Sequence, residues 1–142
     1  MKILKISTLT GYADGDEVML HAAFQILVNF MEHEAEITNW TERAQDRRLW
    51  KELCCLYNWW KKIRPKRSDP LSPLDPKIKV PEPRFRTTPE GHLMLGETPE
   101  RLRKYAAYFH AVKESNRLEE EWLKEDQRNL HRLVRIRGCL WS

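Results

Sequence analysis

Glycine is scarce in this chain, at five of 142 residues, and none of it falls in a phosphate-cradling pattern. The glycine-bearing turn from Thr10 to Gly15 matches neither the Walker A nor the dinucleotide spacing. It reads as a connector, although a turn ahead of a helix can also bring backbone amides to an anion. Three cysteines, two of them adjacent at Cys54 and Cys55, encode no disulfide framework and point to a reducing cytoplasm. The adjacent pair lacks the two intervening residues of a zinc or redox site, and its position favours core packing. Among five histidines (His21, His33, His92, His110, His131) no pair has the close helical spacing of a zinc motif. No serine sits in a nucleophile elbow, and kinase and deaminase signatures are missing. Carboxylate neighbours such as Asp16/Glu17 and Glu32/Glu34 read as caps and solvated charges. No apolar run approaches the ~20 residues a membrane helix needs, and MKILKIST has no secretory signal pattern. Together these gaps argue against an enzyme, a metal or cofactor protein, and a membrane protein.

What the chain does have is tryptophan. Asn39 to Pro65 (NWTERAQDRRLWKELCCLYNWWKKIRP) holds four of the six, Trp40, Trp50, Trp59 and Trp60. Leu49, Leu53, Leu56, Trp60 and Ile63 recur in steps of four and three, one side of a helix of 3.6 residues per turn. Trp50, Cys54 and Tyr57 widen that face. Asn39 and Glu42 have capping-box spacing, and Pro65 predicts the stop. Arg43, Arg47, Lys51, Asn58 and Lys62 mark the wet face, as a solvated surface or as an anion site. For the second, Lys61, Lys62, Arg64, Lys66 and Arg67 crowd the helix end beside Trp59, and cations beside a ring can hold a phosphate and stack on a base. Trp59 points about 100° away from Trp60 on a regular helix, which makes it the ring for a ligand or partner contact.

Ahead of this segment, Val18 to Met31 carries no formal charge, and His21, Gln25 and Asn29 form one polar line at steps of four. This predicts a core helix capped by Asp16, its polar line bonded within the fold or at a subunit contact, or lining a pocket. Residues 2–9 read as a strand. Seven of the eight prolines lie between Pro65 and Pro89, predicting an extended arm over 65–97 with room for an edge strand around Lys77–Val80. Its apolar residues, Phe85, Leu93, Met94 and Leu95 among them, are enough to dock it. Thr98-Pro99-Glu100 is a helix start. An unbroken helix to Arg137 would run about 58 Å, so two helices with a bend near Ser115-Asn116 are expected; a continuous one would lean on another subunit. Cys139, Leu140 and Trp141 form an apolar hook.

The expected fold is mainly α: one domain, residues 1–142, of three to four helices with the proline-rich arm and room for a short two-stranded β element. A net charge of +4, 32% charged residues and a mean hydropathy of −0.70 predict a soluble protein with much wet surface. Residues 1–42 are acidic and 43–86 strongly basic, able to complement each other within the fold or between subunits.

Leu56–Pro65 (LYNWWKKIRP) followed by Asp69-Pro70, the helix over Val18–Met31, and Leu133–Trp141 (LVRIRGCLW) resemble small uncharacterised proteins of tailed bacteriophages. Those proteins pair an apolar N-terminal helix with a Tyr-Xaa-Trp-Trp-Lys segment ending in Arg-Pro; Lys62-Ile63 departs from the more polar residues usual there. The resemblance implies a phage accessory protein in the host cytoplasm, with no catalytic residues to carry over. It implies action by binding: inhibiting or sequestering a component of host anti-phage defence, either an anionic nucleotide-type signal or a host protein. For a nucleotide the contacts would be Arg47, Lys51, Trp59, Lys62 and Arg64, by charge pairing and stacking, and a homo-oligomer would let pockets form between subunits. The alternatives are nucleic-acid binding through the basic 43–86 region and a structural role in the virion.

Overall fold

The computed structural model describes residues 4–140. It is mainly helical, with helices α1 (Gly15–His33), α2 (Ala44–Asn58), α3 (Pro99–Lys104) and α4 (Ala106–Ile136) and one antiparallel hairpin of β1 (Phe85–Thr87) and β2 (Leu93–Leu95). The chain divides into two compact units. One comprises the residues up to Arg67 together with those from Leu123 onward, and the other is Ser68–Trp122.

In the first unit, α1 buries Leu20, Phe24, Leu27, Val28 and Phe30, and α2 buries Leu53 and Leu56. Leu133 and Leu140 close the same core. The uncharged stretch of α1 is not wholly covered, since Val18 and Met19 at its start are 40% and 58% exposed. Its polar line is satisfied by the segment before it: Ser7 donates from backbone and hydroxyl to Gln25 Oε1, Thr8 bonds His21 Nδ1 at 2.6 Å, and Gln25 donates to Asn29. No strand forms over residues 4–9; residues 2 and 3 lie outside the described range, as does Trp141. Of the apolar hook, Leu140 is buried and Cys139 packs against the core.

The tryptophan segment is helical, but not from Asn39. Asn39 instead accepts from the Thr41 amide and hydroxyl and donates to Glu42, closing a turn of its own, and α2 begins at Ala44. Asx side chains make such local closures as readily as they cap helices. At the other end the helical run stops at Lys66, one residue past the expected Pro65, but α geometry is lost earlier. The run widens into a π turn over Trp59–Ile63 and tightens into a 3₁₀ turn, Arg64–Lys66, that carries Pro65.

In the second unit the strand pair lies at 85–87 and 93–95, not at Lys77–Val80. Phe85, Arg86 and Thr87 face Leu95, Met94 and Leu93. Gly91, at φ 85°, makes the turn, donating to the Thr88 carbonyl. Thr98 caps α3 as its sequence predicts, accepting from the Arg101 amide. The bend expected at Ser115-Asn116 is absent: α4 is continuous, Ser115 is buried within it at 2% exposure, and the break falls earlier, at Tyr105. Glycine and proline are missing throughout α4, and Arg117 bridges Glu114 and Glu121 on adjoining turns.

Candidate functional site

The end of α2 is where aromatic rings and charge meet. A π turn takes up one residue more than an α turn, so side chains beyond it fall out of phase with the helical stripe. Ile63, a stripe residue by spacing, is 52% exposed, while Trp59 and Trp60 are both buried, at 5% and 4%. Phe24 of α1 receives both rings: it stacks on Trp60 at a centroid distance of 4.5 Å and meets Trp59 at 5.2 Å. His21 lies edge-on to Trp60 at 4.8 Å. Trp59 is therefore core, contrary to its reading as the ring for a ligand. Its indole nitrogen is buried with no hydrogen-bond partner among the described residues.

Arg64 sits over the Trp60 ring, 4.9 Å from its centroid, and Arg67 lies 5.8 Å from that of Trp59. Both turn to α4. Arg64 donates twice to Asp126, at 3.2 and 3.0 Å, and Arg67 donates to Glu125 and Asp126. Burial works against the Asp126 carboxylate, but the hydrogen bonds from Arg67 and Arg64 outweigh it and hold its pKa below the usual value. Two cations that look free in the sequence are thus fastened to acids about sixty residues further on.

The five residues proposed from sequence separate accordingly. Trp59 is buried in the core, and Arg64, half-buried, lies over Trp60 and is tied to Asp126. Arg47, Lys51 and Lys62 are exposed; Arg47 donates to the Thr41 carbonyl, which leaves its charge unneutralised. Arg47 and Lys51 share the solvent face of α2 with Arg48 and Cys55. Cys55 is exposed there, and only Cys54 of the pair is partly covered. Beside this face runs α4, joined to it by Arg132, which grips both Glu52 oxygens at 2.6 and 2.9 Å and reaches the Cys55 sulfur at 3.5 Å. The Arg132 hydrogen bond holds the Glu52 carboxyl below its ordinary pKa.

The outward side of α4 adds cations that the reading of the basic middle did not include. Lys124, Arg128, His131 and Arg135 recur at steps of three and four, a signal available in the sequence, and all four are exposed. Lys124, Arg128 and His131 line a shallow depression of about 260 Å³ together with Gln127. Arg48, Lys51, Lys124, Arg128 and Arg135 make no ion pair among the described residues.

A different side of α4 borders a second concavity, of about 440 Å³, between the start of α1 and Leu123–Leu130. Leu20 and Leu130 belong to its apolar lining, Met19 and Leu123 stand more than half exposed on its lips, and Asp16 and Glu17 lie at its α1 edge. Among the described residues no cluster of side chains could hold a metal ion, and no helix is long and apolar enough to cross a membrane. Comparison of the chain with protein-family models, curated proteins and solved structures finds no match in any of the three.

Proposed function

We propose that this protein works by binding, and that its target is an extended anion, the phosphate backbone of nucleic acid, met by the joint face of α2 and α4. One observation carries the reading. Arg47, Arg48, Lys51, Lys124, Arg128, Arg132 and Arg135 lie on two adjoining helices, and Glu52, the acid among them, is already held by Arg132. Such a face offers many point charges and, apart from the His131 imidazole, no exposed ring, which suits a run of phosphates better than one stacked base. A small nucleotide gripped by Trp59 and Arg64 would have to open the core and displace Asp126. The resemblance to tailed-phage accessory proteins supports a host-cytoplasmic setting, where a binder of this kind would counter a component of host defence.

The test is fluorescence anisotropy with a labelled duplex of about 25 base pairs, titrated between about 50 and 300 mM NaCl. The expected affinity falls steeply with salt. The triple variant R47E/R48E/K51E or the pair R128E/R135E should flatten the salt slope by about one for each phosphate left without its cation. Absence of binding at the lowest salt overturns the reading. So does a salt-insensitive thermal shift with a single small nucleotide. Binding to an acidic protein but not to duplex would move the target class from nucleic acid to host protein.

A further inference from the structure

We infer that the groove between α1 and α4 is a homodimer contact, filled by the Ile63 corner of a second copy of this chain. The two surfaces correspond in apolar character and are opposite in charge. On the groove side, Met19 and Leu123 are 58% and 68% exposed, far more than isolated surface apolars need to be when they flank the same concavity of about 440 Å³. Asp16 and Glu17 on its edge make no ion pair among the described residues. Their place in the first turn of α1 accounts for their sign, but not for the bare leucine and methionine beside them.

The other surface is the product of the π turn. By putting Ile63 out of phase, that turn presents an apolar side chain, 52% exposed, at a point where the chain is otherwise basic. Lys62 and Lys66 are exposed around it and make no ion pair among the described residues. Lys61, the other neighbour, is occupied by Glu32 at 3.2 Å. An apolar knob between two unneutralised lysines thus corresponds to an apolar groove beside two unneutralised acids. The correspondence is also local. Arg64, the next residue after Ile63, is itself part of the groove lining, and Asp126 holds it there, so it does not compete with the incoming lysines for Asp16 and Glu17. Ile63 and a lining residue of the groove are therefore chain neighbours within one unit. That adjacency is what a two-fold axis requires, because each copy then gives its knob and receives its partner's. The inference does not depend on the nucleic-acid reading, which uses a different side of α4.

Sedimentation velocity of the full chain across a concentration series tests it. The expected species has twice the 17.1 kDa chain mass. Leu123→Asp and Ile63→Asp, each at an exposed position, should leave the helical circular dichroism unchanged and weaken the dimer at least about tenfold. The double reversal D16K/E17K should weaken it too, and adding K62E/K66E should restore it, a rescue that a merely destabilised fold would not give. A wild-type chain that is monomeric at about 100 μM, a concentration matching a weak contact, overturns the proposal. A dimer indifferent to both Leu123→Asp and Ile63→Asp overturns it as well, since the pairing would then use another surface.

Discussion

In the unit built from α1, α2 and the end of α4, Phe24, Leu27, Leu53 and Leu56 are completely buried, whereas in Ser68–Trp122 every residue of both strands is exposed. The two regions have similar raw material for a core. Phe85, Leu93, Met94 and Leu95 are as apolar as the side chains that vanish into the first unit, yet they remain 49–68% exposed. The difference lies in how the apolar residues are delivered. α1 and α2 place them every three or four residues on one side of a cylinder, so that two cylinders can cover each other. Ser68–Trp122 contains seven of the eight prolines, which deny the backbone the donors a regular element needs. Around its hairpin and helices, part of its order comes from polar closures within the unit: Arg101 bonding Glu97 and the Glu82 carbonyl, and Thr88 bonding His92.

The contrast can be broken most directly by truncating one aromatic in each region. Phe24→Ala removes the ring on which both Trp59 and Trp60 rest and should cost about 3–5 kcal/mol. Phe85→Ala, at 57% exposure, should cost under about 1 kcal/mol. Urea unfolding monitored by tryptophan fluorescence measures both, and equal costs would mean that the strand pair is better covered than its exposure indicates.

A smaller effect sharpens how the first unit holds its charge. Asp126→Asn would remove the carboxylate to which Arg64 donates twice and one of the two to which Arg67 donates. With Asp126 and the two arginines 14–22% exposed, the expected loss is about 2–4 kcal/mol, less than for a fully buried pair. Replacing Glu114, on an exposed ion pair in the other unit, should have a much smaller effect, because solvent screens that pair. The same melts, compared side by side, would show whether ion pairs differ between the regions as their rings do.

The smallest effect concerns pH. Burial first, and the Arg64 charge second, lower the pKa of His21 from 6.5. The unfolded chain therefore takes up that proton before the folded one. The stability contributed by neutral His21 is whole above pH 6.5 and declines as pH falls from there toward the lowered folded value. The melting temperature of the wild type should fall through this window, and His21→Gln should flatten the decline. The carboxylates Asp126 and Glu52, with pKa values lowered by their arginines, lose their contribution only in more acid solution, so the two origins are separable.

Several elements were legible in the residues alone because they are local. The uncharged run with a polar line at steps of four over Val18–Met31, and the three–four spacing over Leu49–Trp60, announce α1 and α2. The Thr98-Pro99-Glu100 start is realised by a hydrogen bond spanning three residues. The partners of His21 and Gln25 were expected inside the fold, at a subunit contact or in a pocket, and Ser7 and Thr8 supply them inside the fold. The candidate site was less legible. Arg64 has the composition of a ligand contact, and nothing near it in sequence shows that Asp126 will occupy it. Trp59 reads as exposed on a regular helix, and only the π turn and Phe24 draw it inward.

Periodicity, proline placement and end signals, each a property of a few consecutive residues, are enough to make this chain mainly helical with an extended middle, since backbone geometry responds to its immediate neighbours. Tertiary packing alone decided which cations stay available. A charge in solution keeps or loses its freedom according to what lies within a few ångströms of it, and for Arg64, Arg67 and Arg132 those neighbours come from the far end of the chain.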